Sequence, residues 1–117
     1  MAETTQLELV TPARILVQKA VQMVVAPGVE GLFGVLPRHA PLLASLERGI
    51  VEVHEDGKII DRIMIDGGFA DVSDESVTIM AEQAIDLSTA DAAALKETVA
   101  AANEVEADFL NAVIAEL

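Results

Sequence analysis

Three glycines and three prolines fall within fifteen residues of this chain: Pro27, Gly28, Val29, Glu30, Gly31, Leu32, Phe33, Gly34, Val35, Leu36, Pro37, Arg38, His39, Ala40, Pro41. That spacing forbids a helix, because proline removes an amide donor and fixes φ, while glycine raises the entropy cost of a regular interior. The apolar residues between them suffice only for a short strand, so the segment must run turn, strand, rigid turn. It forms a shaped surface loop. It contains no nucleophile beside a base and no lysine placed for a phosphate, so it suits docking rather than catalysis. The plainer alternative is that 28–31 and 37–41 only turn the chain.

Around this loop, from Leu7 to Ala84, the pattern is short strands separated by turn residues. Leu7 and Leu9 alternate with Gln6 and Glu8, Ile15 to Val17 and Val21 to Ala26 are β-rich, and Ile50, Glu52 and His54 alternate with Val51 and Val53. The Asp56-Gly57 pair inside Glu55–Lys58 is a strong hairpin signal, with Ile59 to Asp66 returning as the partner strand. Gly67 and Gly68 interrupt before Phe69 to Val72, Ser73 to Glu75 turns, and Val77 to Met80 closes the series. Eight or more such strands with no helical period between them predict an antiparallel sandwich or barrel, and a β-sandwich is expected.

At Ser88 the composition changes to alanine, glutamate and leucine, with no Gly or Pro through Leu117. Ser88 is positioned to cap a helix, with Asp91 in its first turn. Ala92, Leu95, Val99 and Ala102 form one apolar stripe, and Leu110, Val113, Ile114 and Leu117 form a second. Asn103, Glu104, Glu106 and Asp108 break the register between them, which predicts a hairpin of two short helices over one bent helix. Neither stripe can hold a helix alone, so the tail must rest on the sandwich, rest on a partner, or fray.

The chain has the length for one domain of ordinary size or a small domain with an appendage, and more than half its 117 residues are hydrophobic. Only three are aromatic, and none is Trp or Tyr, so the core must be built from Val, Ile, Leu, Ala and Met. Missing aromatic platforms count against a stand-alone β-sandwich module for a small ligand or carbohydrate, the competing reading. A formal charge of −13 repels nucleic acid and anionic lipid alike. No apolar run approaches the ~20 residues that span a bilayer, and the polar start is neither a signal nor a transit peptide. Without cysteine there is no disulfide, thiolate or cysteine-ligated zinc.

Constellations for chemistry do not assemble. Glu52 and His54 share a strand face, but no third metal ligand can be placed, and His54 is expected to be an exposed strand residue. His39, fixed between Pro37 and Pro41, suits turn hydrogen bonding or a partner contact. Asp66, Asp71, Asp74 and Glu75 lack the spacing of a calcium loop and are expected to form a solvated rim. Gly28, Gly31 and Gly34 are not followed by Gly-Lys-Ser or Gly-Lys-Thr, so they are turn glycines.

The order of these residues resembles a known family. A Pro-Gly-x-x-Gly turn at 27–31, followed by Gly34-Val35-Leu36-Pro37 and His39-Ala40-Pro41-Leu42-Leu43, is similar to the signature of the epsilon subunit of bacterial F-type ATP synthases, the counterpart of the mitochondrial delta subunit. The resemblance continues at Gly67-Gly68-Phe69-Ala70-Asp71-Val72 and at Val77-Thr78-Ile79-Met80-Ala81-Glu82, and weakens past Ser88. It implies a mostly β chain with an α-helical C-terminus: a β-sandwich of two stacked sheets over 1–84 as a docking domain, then a helical hairpin over 85–117.

The resemblance also implies a non-catalytic rotor subunit in the central stalk of a proton-translocating enzyme, peripheral on the cytoplasmic face of the bacterial inner membrane. Such a subunit binds the gamma subunit and stands on the c subunits of the rotor ring, coupling ion flow to ATP synthesis. By motif, Gly28, Glu30, Gly31 and Leu32 would face the ring, with Glu30 and His39 as polar contacts. Many members carry a second acidic residue where this chain has Leu32, so the charge there rests on Glu30. Pro41, Leu42 and Leu43 would face gamma. No cofactor, metal or catalytic residue is implied. Some relatives bind ATP through Ile or Leu, Asp, two residues, Arg, Ala. The matching stretch here, Ile85-Asp86-Leu87-Ser88-Thr89-Ala90, has threonine for the arginine, and no arginine follows Arg62, so no nucleotide site is expected. In many relatives the C-terminal helices block hydrolysis through basic residues that meet the catalytic beta subunits. Here Lys96 stands alone against seven acidic residues between Ile85 and Leu117, so little inhibition is expected.

Overall fold

The computed structural model describes residues 3–90, 92–101 and 104–117, the side chains of 97–101 and 104–106 excepted. Ten strands come first: β1 (Thr5–Val10), β2 (Ile15–Val21), β3 (Met23–Gly28), β4 (Gly31–Val35), β5 (Leu42–Leu46), β6 (Gly49–Glu55), β7 (Lys58–Ile65), β8 (Gly68–Val72), β9 (Ser76–Ala81) and β10 (Ala84–Asp86). Two helices follow, α1 (Ala92–Ala101) and α2 (Glu104–Ala115).

The strands make a β-sandwich. Along one sheet the order is β4-β3-β6-β7-β10, along the other β5-β8-β9-β1-β2, and the two meet where Gly28 of β3 pairs with Leu46 of β5. Period-two alternation decides which residues turn inward. Leu7, Leu9, Val24, Ala26, Val51, Val53, Ile63, Ile65, Val77 and Ile79 fill one continuous core of aliphatic side chains. Between β6 and β7, Asp56 and Gly57 have φ of 52° and 75°. Two left-handed residues in a two-residue loop give the twist that adjoining strands need, which is why an Asp-Gly pair stands there.

Antiparallel pairing is expected throughout, and one ladder departs from it. Gln6 to Val10 of β1 run parallel to Ser76 to Met80 of β9. That register sets Leu7 and Leu9 beside Val77 and Ile79 on the buried face, and burial outweighs the slightly poorer parallel geometry.

The tail forms two helices packed on each other. They lie on the outer face of the first sheet, where Ile50, Met64 and Ile85 stand in register across β6, β7 and β10. Phe109 and Val113 of α2 are fully buried with Met64 and Leu87, and Leu95 of α1 joins them. Leu110 is also buried, as its stripe predicts, whereas Leu117 is exposed. Phe109 belongs to neither predicted stripe and is the largest fully buried side chain. Ser88 is not the cap: its amide and hydroxyl donate to the Asp86 carboxylate in a turn that ends before α1 begins. Asp91, Ala102 and Asn103 lie outside the described residues, as do the side chains of Val99, Glu104 and Glu106.

Candidate docking surface

The pairing of Gly28 with Gly31 closes a hairpin whose tip is Val29 and Glu30. Gly31 has a φ of 126°, and a Cβ on Gly28 would come within 2.9 Å of the Gly31 carbonyl oxygen. Glycine at both ends therefore lets the turn close and leaves Val29 and Glu30 in solvent. The Val29 amide donates to the Ser45 carbonyl at 3.0 Å and the Glu47 amide to the Pro27 carbonyl at 2.9 Å, which fastens the hairpin to β5 and the loop after it.

Between hairpin and β5 runs a shallow groove of about 490 Å³, lined by Glu30, Gly31, Leu32, Phe33, Leu42 and Leu43 among others. Leu32 is 74% exposed and Leu43 71%. Leu42 and Leu43 turn to opposite faces: Leu42 pairs with buried Val72 at the rim of the core, Leu43 with exposed Asp71 outside. His39 and Pro41 do not line this groove.

The second turn has its own construction. The His39 amide donates to the Leu36 carbonyl at 3.1 Å, with Pro37 and Arg38 as the central residues. Arg38 has a φ of 63°, so this is a type II turn with arginine where glycine or asparagine is usual. The Arg38 amide donates to the Asp74 carbonyl at 2.8 Å, and its guanidinium reaches Glu3 at 3.2 Å. His39 Nδ1 donates to the Ala40 carbonyl at 2.6 Å.

Two sequence expectations need correction. His54 is half-buried rather than exposed, and its Nε2 lies 3.2 Å from Glu52 Oε1. Asp66 is not a solvated rim residue: it accepts from Arg48 Nε at 2.9 Å.

The sequence pattern also missed an apolar row. On the outer face of the second sheet, Ser45, Phe69, Met80, Val10 and Ile15 stand in register across five strands. Phe69, Met80 and Ile15 are exposed large hydrophobics. The equivalent face of the first sheet is roofed by helices, while this one is open. Alternation within each strand is readable beforehand, but its alignment across five strands depends on register.

The family model for the beta-sandwich domain of the ATP synthase delta/epsilon chain matches residues 4–87, the span of all ten strands. The chain belongs to the ATP synthase delta/epsilon family. Its members are non-catalytic subunits. The ATP synthase epsilon chain of Rhodospirillum rubrum is 43% identical over 104 residues, covering 89% of this chain and 78% of that one. That of Paramagnetospirillum magneticum is 47% identical over 85 residues, or 73% and 64% of the two chains. Among solved structures, a chain of the Euglena gracilis mitochondrial ATP synthase, described as OSCP/F1/c-ring in rotational state 1, superposes with a TM-score of 0.68 at 31% identity. The match covers 82% of this chain and only 61% of that one. A chain from the central stalk and c-ring of the Tetrahymena thermophila mitochondrial ATP synthase shares the fold, with a TM-score of 0.61 at 15% identity over 74% of this chain and 69% of that one.

Proposed function

We propose that this delta/epsilon-family chain is the epsilon subunit in the central stalk of a bacterial, proton-translocating F-type ATP synthase, peripheral on the cytoplasmic face of the inner membrane. It links the gamma subunit to the c subunits of the rotor ring and so couples ion flow to ATP synthesis. Residues 1–84 are the docking domain and 85–117 the helical segment, with strand β10 straddling that boundary.

One observation carries the reading: large apolar side chains stay exposed at one hairpin-and-groove surface and along one sheet face. Val29, Leu32, Leu42 and Leu43 are exposed at the former, Phe69, Met80 and Ile15 along the latter. A chain that folds to be covered leaves such surface for its partners. In this reading Gly28, Glu30, Gly31, Leu32 and His39 meet the ring, while Pro41, Leu42 and Leu43 meet gamma. The match to a chain solved within an F1/c-ring assembly supports a place in such an assembly.

The test is coupled proton pumping by membranes whose enzyme carries Glu30→Lys, Leu43→Asp or both. The expected result is impaired coupling or loss of the subunit on washing, with the isolated chain melting as wild type, because both side chains are exposed. Full coupling with both substitutions present would overturn the assignment.

A further inference from the structure

Arg48, in the two-residue link between β5 and β6, touches three groups from two different parts of the chain. Its Nε donates to Asp66 in the β7–β8 turn at 2.9 Å, and its Nη1 donates to Asp108 of α2 at 2.8 Å. Its Cζ lies 5.7 Å from the centre of the Phe109 ring, within cation–π range. The two carboxylates, Asp66 first, raise the guanidinium further above its already high range, so it stays charged at any physiological pH.

Beneath this arginine the apolar contacts fall into two separate sets. Among the described residues the sandwich core includes no helical side chain, whereas Phe109, Val113, Leu95 and Ala112 gather over Met64, Leu87, Ile50 and Ile85. Detaching the helices therefore removes none of the described side chains of the sandwich core. It uncovers the row Ile50, Met64 and Ile85. The polar contacts that cross this seam include only one further ion pair among the described residues, Arg62 with Glu116 at 3.6 Å.

We infer that Arg48 is an electrostatic strap that holds the helix pair down over an apolar row of the first sheet, and that the pair comes off as a unit when the strap is weakened, with the sandwich intact. The strap depends on salt. Asp108 is 74% exposed and Arg48 32%, so mobile ions compete for them, while Phe109 below is sealed from solvent. Arg48 acts as a positioning residue for α2, and the opening it governs is a local one.

Amide hydrogen exchange on the full-length chain tests this, at low and high sodium chloride. Arg48→Met keeps an apolar stem of similar length over Phe109 and removes the charge. It should speed exchange of α2 amides about tenfold at low salt, since it loses two charged partners and a ring contact. The gap from wild type should shrink at high salt, and amides of β6 to β9 should keep their wild-type rates. Asp108→Asn, on the surface, should speed α2 exchange by roughly two- to threefold, and the double variant should exchange no faster than Arg48→Met alone. Unchanged α2 exchange in Arg48→Met, an effect indifferent to salt, additive single effects, or loss of strand protection together with α2 would each overturn the strap.

Discussion

Gly31 shapes the hairpin and Glu30 stands at its tip, so substitutions at these two neighbours separate folding from docking. At φ 126° a valine side chain is strained even though nothing lies within 4 Å of the position. Gly31→Val should therefore cost the isolated chain about 1–2 kcal/mol, while Glu30→Gln should stay within about 0.5 kcal/mol of wild type. Urea unfolding of the two variants checks both. Equal destabilisation would mean that Glu30 has a structural role the hairpin geometry does not show. The sequence reveals Gly28 and Gly31 as turn residues because glycine has few other uses beside a strand. It is silent on Arg38, whose left-handed φ follows from a turn that only the pairing of Leu36 with His39 defines. It is silent too on Asp66 and Asp108: their shared partner Arg48 is 18 residues from one and 60 from the other.

Between single residues and the fold lie the elements, and here local signals and long-range ones part company. The β6–β7 hairpin was readable because Asp56-Gly57 sets its own turn and the alternation on either side agrees. The parallel pairing of β1 with β9 was not, since periodicity names faces and never partners. The tail is a third case: its helical character was clear from composition, but Phe109 lay between the two stripes and its burial was missed. It sits four residues before Val113, the spacing that places both on one helix face, and that was the available signal. Removing a fully buried ring from a core costs roughly 3–5 kcal/mol. Here the loss is capped by the docking energy of the helices, because once they detach nothing more is forfeited. Phe109→Ala should thus abolish protection of α2 amides and leave the melting of the sandwich nearly as in wild type. A drop in sandwich stability of the full core magnitude would show that helices and sheets unfold together.

Taken as one body, the chain is strongly acidic, and the acidity is shared by the helical tail. An assembled enzyme in which this tail reached toward acidic neighbours would set like charge against like. Removing residues 88–117 should therefore change ATP hydrolysis by less than about twofold with coupling retained, and a several-fold activation would show that the tail restrains the enzyme. The truncated chain should keep its sandwich spectrum but associate with itself, because Ile50, Met64 and Ile85 lose their cover. One pairing also bears on how the protein is made. Of the ten strands β1 is made first, yet its Leu7 and Leu9 find their parallel neighbours only when residues 76–80 arrive, about 70 residues later. Until then a hydrophobic strand with only β2 beside it must be kept from wrong company. A nascent chain halted before β9 cannot complete its second sheet, so during synthesis the apolar face of β1 waits for a partner that local sequence cannot supply.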